Sequence, residues 1–225
     1  MQTAHASLST QIAPNVALLR TPPAPRTAPE LGTARTVAKD EEIFAEGDRA
    51  AYFYKVVSGA VRTFKLLSDG RRQIDAFHLP GDIFGMEAGD EHRFSAEALG
   101  GATIVAYRRC SLEALASRDQ AFANQVIASM MRSLERAQDH MLLLGRKYAL
   151  EKIATFLLVL SERLTEDGHV DLPMSRIDIA DHLGLTIETV SRSLTQLERQ
   201  GVIELPAHRR CIVLRDRAAL QRLEA

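Results

Sequence analysis

The stretch around Gly184 constrains this chain more than any other. Ser175-Arg176-Ile177-Asp178 reads as a helix opening, with serine at the N-cap and an acid three residues on, and Ile179, Ala180 and Leu183 follow at helical spacing. Gly184 then stands where a helix must stop and the chain turn sharply, which glycine does without a Cβ clash. Thr186 caps a second helix that runs to about Gln200, before Gly201 stops it. Two short helices joined by a Gly-containing turn make a helix-turn-helix, whose second helix enters the major groove of DNA.

The second helix divides into two faces. Ile187, Val190, Leu194 and Leu197 form the stripe expected to dock on the first helix, and Glu188, Ser191, Arg192, Thr195 and Arg199 line the other side. A guanidinium at Arg192 suits guanine O6 and N7, and a carboxylate at Glu188 suits cytosine N4. Ser191, Thr195 and Arg199 suit phosphates, and Ser175, Arg176 and Thr186 are assigned to the DNA backbone with them. Downstream, residues 202–205 and 211–214 read as two short strands around Pro206-Ala207-His208-Arg209-Arg210, a wing whose Arg209 and Arg210 would neutralise phosphates. The competing reading is an amphipathic helix with a solvated charged face; the capped, Gly-broken partner helix favours double-stranded DNA as the partner.

Charge enters only as a constraint. The 28 Lys and Arg face 29 Asp and Glu, so net charge gives no support to DNA binding and the basic groups must gather on one surface. Glu151, Glu162, Glu166 and Asp167 are expected on the far side. No stretch reaches the roughly 20 apolar residues of a membrane span, and the N-terminus lacks a signal pattern, so a cytoplasmic protein with no membrane partner is expected. The two cysteines, Cys110 and Cys211, lie far apart without CxxC spacing, too few for a disulfide framework, a zinc site or an iron–sulfur cluster. Cys211 is expected to be a buried, inert thiol.

Upstream, the chain separates into three pieces. Residues 1–34 are rich in Ala, Thr and Pro without a sustained period, the composition of a disordered arm. Over residues 35–117, Gly47, Gly59, Gly70 and Gly81 punctuate β-rich runs at 52–57, 61–67, 73–78 and 103–107, a compact antiparallel domain. Asp69-Gly70 is a hairpin signal of the primed-turn kind. Residues 118–146 carry Ile127, Met130, Leu134, Ala137, Met141 and Leu144 at alternating steps of three and four, a narrow a/d seam that predicts a parallel homodimer. The alternative is a long helix packed only on its own β domain. Residues 147–225 hold a further helix over 148–164, a short strand over 169–172 and the winged helix-turn-helix. The fold class is α+β: an N-terminal β-roll, a dimerisation helix and a C-terminal winged helix-turn-helix.

This order of parts resembles the Crp/Fnr superfamily of bacterial transcription regulators over about residues 37–223. The most specific piece is Asp178-Ile179-Ala180-Asp181-His182-Leu183-Gly184-Leu185-Thr186-Ile187-Glu188-Thr189-Val190-Ser191-Arg192. It looks like the Fnr-type signature, and the resemblance implies that Glu188, Ser191 and Arg192 read TTGA-type half-sites. Phe77-His78-Leu79-Pro80-Gly81-Asp82 and His92-Arg93-Phe94-Ser95-Ala96-Glu97-Ala98 look most like the FixK branch, whose members control microaerobic respiration and nitrogen fixation genes. The resemblance also implies RNA polymerase as a partner, touched by the loop of Ser68, Asp69, Gly70, Arg71, Arg72 and Gln73.

Two departures define the sensor. The arm holds no cysteine, which excludes an Fnr-type oxygen-sensing cluster on ligand count. Members that bind cyclic AMP carry Gly-Glu and later Arg-Ser or Arg-Thr, whereas here Met86 follows Gly85 and Phe94 separates Arg93 from Ser95. No cofactor is expected, and the resemblance to FixK-like proteins implies activity that follows the amount of protein made rather than a ligand. The alternative is a small-molecule-gated regulator using Arg93 and Ser95 in the β-roll. Some FixK relatives carry a redox cysteine near the start of the helix-turn-helix; Ser175 occupies that region here. Glu87, Asp90, Glu91 and His92 invite a metalloenzyme reading, but ligand count favours a solvated acidic loop. GxSxG, P-loop, GxGxxG and HExxH are absent, so no enzyme is expected.

Overall fold

The computed structural model describes residues 32–112, 117, 119–145, 148–166, 169–206 and 211–224. Eight strands come first: β1 (Thr33–Val37), β2 (Glu42–Phe44), β3 (Tyr52–Ser58), β4 (Val61–Leu66), β5 (Arg72–His78), β6 (Ile83–Phe84), β7 (Ser95–Ala98) and β8 (Ala102–Arg108). They form two antiparallel sheets, ordered β1-β8-β3-β6 and β2-β7-β4-β5. Val37, Phe44, Tyr54, Val56, Val61, Phe84 and Ile104 meet in one buried cluster as the alternating inward faces of these strands.

The predicted strands stand within a residue or two of their expected limits. Thr33 and Ala34, assigned to the arm, pair with Ala106 and Val105 as the start of β1, so the ordered fold begins earlier than expected. The rest of the arm lies outside the described residues. Asp69-Gly70 does turn a hairpin, but not of the primed kind: Gly70 alone has positive φ, at 82°, and its N–H donates to the Leu67 carbonyl at 2.9 Å. A five-residue turn with one left-handed glycine needs nothing unusual of Asp69.

Helix α1 (Gln120–Leu144) follows, capped by Asp119, whose side chain accepts from the Phe122 N–H. One face turns Val126, Ser129 and Leu143 inward, and Ser129 Oγ accepts from the Ile83 N–H at 3.3 Å. The seam faces away: Ile127 is 58% exposed, Leu134 54% and Met141 68%. Met131 and Leu142, outside the heptad reading, are exposed beside it.

Helix α2 (Ala149–Leu164) turns back, followed by β9 (Thr165–Glu166), β10 (His169–Asp171), α3 (Arg176–Leu183), α4 (Ile187–Arg199), β11 (Ile203–Glu204), β12 (Cys211–Leu214) and α5 (Arg217–Glu224). The last four strands form a third sheet, ordered β11-β12-β10-β9. One hydrophobic cluster joins Phe64, Ile74 and Phe77 of the β-roll to Ile153, Phe156 and Leu157 of α2 and to Leu183, Val190, Leu194 and Leu197 of α3 and α4. The two halves of the described chain therefore share a core. No helix among the described residues is long and apolar enough to cross a membrane.

Candidate nucleic-acid interface

The capping signals read from sequence are built as expected. Ser175 Oγ accepts from the Asp178 N–H, and the Asp178 carboxylate accepts from the Ser175 N–H, closing a capping box on α3. Gly184 is left-handed, at φ 63° and ψ 40°, and the Leu185 N–H donates to the Ala180 carbonyl at 3.0 Å. Thr186 Oγ1 accepts from the Thr189 N–H at 3.2 Å and opens α4. Val190, Leu194 and Leu197 are buried. Ile187 is not: it is 38% exposed, because the first residue of α4 lies beyond the crossing with α3.

The outer face of α4 is open. Glu188, Arg192 and Arg199 are exposed, and Ser191 and Thr195 half-buried at their base. Ser191, Arg192, Thr195, Gln196, Arg199 and Gln200 line one shallow depression along the helix. Gln196 was missed by the sequence reading, although its place one turn after Arg192 could have found it; its amide can donate and accept at a base edge. Arg176 Nη1 donates to Ser191 Oγ at 3.4 Å, which leaves the serine proton for an outside acceptor. Ser175 is exposed, but its hydroxyl donates to Asp178 Oδ2 at 2.7 Å, so a phosphate would compete with the cap for that proton. Arg209 and Arg210 lie outside the described residues.

Of the acids expected on the far side, Glu162 accepts from Arg217 Nη2 at 3.0 Å on the C-terminal helix α5. Cys211 is half-buried rather than buried, with Sγ 3.6 Å from His169 Nδ1. Burial, then the Asp171 carboxylate, pushes its thiol pKa up, away from thiolate character. Cys110 is exposed.

Two sequence expectations need correction in the β-roll. Of the six loop residues assigned to polymerase, Ser68, Asp69, Gly70 and Arg71 are exposed, but Arg72 and Gln73 turn inward onto α3: Arg72 Nε donates to Asp181 at 2.8 Å and Gln73 Nε2 to the His182 carbonyl at 3.2 Å. His92 is not in a solvated loop either. It is 3% exposed and stacked on Phe44, with ring centroids 3.6 Å apart. No cluster of three metal-ligating side chains occurs among the described residues.

A cavity of about 310 Å³ opens between the β-roll and α1. Its walls carry the carboxyl groups of Asp75 and Glu87 and one guanidinium, Arg93, with Thr63, His78, Ser129 and Ser133. Burial lowers the His78 pKa to about 4, so the ring is neutral. Ser95 points elsewhere, its Oγ accepting from the Glu46 N–H at 2.9 Å.

Comparison with known proteins gives a consistent picture. Residues 34–119 match the cyclic nucleotide-binding domain family, and residues 151–223 match the Crp-like helix-turn-helix domain family. The chain is 52% identical over 200 residues to the nitrogen fixation regulation protein FixK of Azorhizobium caulinodans, covering 87% of this chain and 80% of that protein. It is 43% identical to the protein of the same name from Rhizobium meliloti, covering 87% and 89%. The structure of FixK2 from Bradyrhizobium japonicum superposes with a TM-score of 0.80 at 52% identity, covering 86% of this chain and 98% of that one.

Proposed function

The chain belongs to the Crp/Fnr family of transcription regulators, and from that premise we propose that it is a FixK-like activator, not an enzyme, working in the cytoplasm as a homodimer on palindromic TTGA-type sites. The observation that carries the reading is α4 itself: Glu188, Ser191 and Arg192 stand together on an open face, backed by a buried stripe that fixes their direction. Arg192 reads guanine bidentately, Glu188 accepts from cytosine N4 and Ser191 offers its proton. Thr195, Arg199, Arg176 and Thr186 hold phosphates, joined by Arg209 and Arg210 of the wing.

The exposed seam on α1 supports the dimer. Apolar side chains left in water along one narrow stripe are stabilised by pairing with the same stripe of a second copy. Pairing sets two recognition helices about one DNA turn, roughly 34 Å, apart. The exposed turn of Ser68, Asp69, Gly70 and Arg71 is the surface offered to RNA polymerase. The controlled genes are those of nitrogen fixation, as the relatives' names indicate, or of microaerobic respiration, as the FixK resemblance implies.

The protein acts without an effector. A cyclic nucleotide brings a phosphate anion, and the β-roll cavity sets two carboxyl groups and a neutral imidazole against one guanidinium. That donor set does not fit the group. A small-molecule-gated regulator remains the competing reading because the cavity exists. Fluorescence anisotropy in air, with nothing added, on a TTGA palindrome and on a scrambled duplex at two salt concentrations decides it. Tight binding that prefers the palindrome by a factor on the order of 10³ or more is expected; equal binding to both duplexes overturns the reading.

A further inference from the structure

Asp178 divides its two oxygens between two tasks. Oδ2 accepts from the Ser175 N–H at 2.9 Å and closes the cap of α3. Oδ1 accepts from Arg72 Nη2 at 2.7 Å and from Arg62 Nη1 at 3.1 Å, both reaching out of the β-roll. Arg72 bridges on to Asp181, Gln73 donates to the His182 carbonyl, and His182 Nδ1 lies 3.2 Å from the Ile74 carbonyl. Three successive residues of β5 thus grip α3 at positions 178, 181 and 182.

The grip is costly to open. Arg62 is 8% exposed and Asp178 4%, and Arg62 is held further by Glu97 and Asp40. Burial would lower the Arg62 pKa, but the Glu97 hydrogen bond and the charges of Asp178, Glu97 and Asp40 outweigh it, so the group stays charged. Sliding α3 along β5 would leave the buried Arg62 guanidinium without Asp178 and the buried Asp178 Oδ1 without either cation, although Oδ2 would keep its cap. Because α3 and α4 share a core, whatever fixes α3 also fixes α4.

We propose that Arg72 and Arg62 are positioning residues for DNA recognition, locking α3 and α4 against the β-roll so that both recognition helices of a dimer are aimed at a palindrome without a ligand. This rests on the DNA-reading role given to α4 above. The lock matters only where two helices must be in register. If opening it leaves each helix correctly aimed about a tenth of the time, palindrome affinity falls by about 100-fold through the competent fraction of two protomers, whereas a lone half-site, which one helix can read in any orientation, is scarcely affected.

The test compares the full chain with Arg72→Ala, Arg72→Lys and Asp181→Asn. Anisotropy is read on a TTGA palindrome and on a duplex with one half-site, and amide hydrogen exchange is followed in β5, α3 and α4. Arg72→Ala should weaken the palindrome by about 10- to 100-fold and the half-site by less than about threefold, with faster exchange in β5 and α3 but not in α4. Arg72→Lys, which keeps the cation, should recover most of the loss. Equal losses on both duplexes, no loss on either, or unchanged exchange overturns the proposal. If Arg72→Ala does not fold, Asp181→Asn, which removes only the half-exposed partner, must show the same split at smaller size. If the unaltered chain does not prefer the palindrome to a scrambled duplex, the DNA-reading role fails first, and the lock falls with it whatever the exchange shows.

Discussion

Lowering the pH should destabilise this protein through histidines that the fold holds away from water. His182 lies flat against His140, with ring centroids 4.0 Å apart, and is flanked by Phe77 and Phe156. Burial, with the neighbouring His140, holds its pKa at about 3, and burial holds His78 at about 4. The unfolded chain takes up protons at these positions near the ordinary value of about 6.5. A folded state that refuses protons the unfolded state accepts is fully stabilised above the unfolded value and loses stability as the pH falls toward the folded one. Each pH unit within that window costs about 1.4 kcal/mol per histidine, so going from about pH 8 to about pH 5 costs about 2 kcal/mol at each site and about 4 kcal/mol for the pair. His140 and His92 are shifted in the same direction, chiefly by burial. Asp75, raised by burial, opposes them, because its folded form takes up a proton more readily than its unfolded form as the pH falls. The assay is urea unfolding followed by far-UV circular dichroism, at one protein concentration, across this range. His182→Phe keeps the ring stack and removes one titrating group, so its stability should fall less steeply with acid, by about one proton. A flat profile for the unaltered chain, or the same slope in His182→Phe, would refute the linkage.

Other outcomes follow from the proposed reading. Arg192→Ala should cost about 1 to 3 kcal/mol per half-site and relax preference at its guanine alone, checked by anisotropy on single-base variants; equal loss on every sequence would assign Arg192 to phosphate. Arg209→Ala should weaken all sequences alike and reduce the salt slope by about one. Leu134→Glu places a charge in the α1 seam and should shift the chain to monomer in sedimentation while far-UV dichroism stays unchanged. Gly59 has φ +77°, and a Cβ there would overlap the Gly101 carbonyl oxygen. Gly59→Ala should therefore lower stability by about 2 kcal/mol or more in denaturant unfolding.

What could be read from the sequence was what local chemistry decides. The limits of α3 and α4 follow from Ser175, Asp178, Gly184 and Thr186, each acting within three or four residues of itself. Strands β3, β4, β5 and β8 are long enough for β-rich composition to show. Strands β1, β2, β6 and β7 went unread because they are two to five residues long and take their identity from partners far along the chain. Helix α5 escaped because its eight residues are too short for a helical period to stand out, although Leu220 is fully buried and Leu223 packs beside it. The grip of β5 on α3 was invisible for a stronger reason: Arg72 and Arg62 lie 106 and 116 residues from Asp178, and no local pattern records that pairing. The resemblance even pointed Arg72 and Gln73 the other way, outward, since a turn's flanking residues look the same in sequence whichever side they face.

The exposed seam on α1 also has a consequence for dose. If two copies pair through that stripe, as proposed, the dimer is scarce whenever protomers are dilute. In that regime the dimer grows with the square of protomer concentration, so doubling synthesis quadruples operator occupancy. If, as proposed, the chain needs no small molecule to aim its helices, its own abundance becomes the signal, and the strength of pairing along α1 sets the gain.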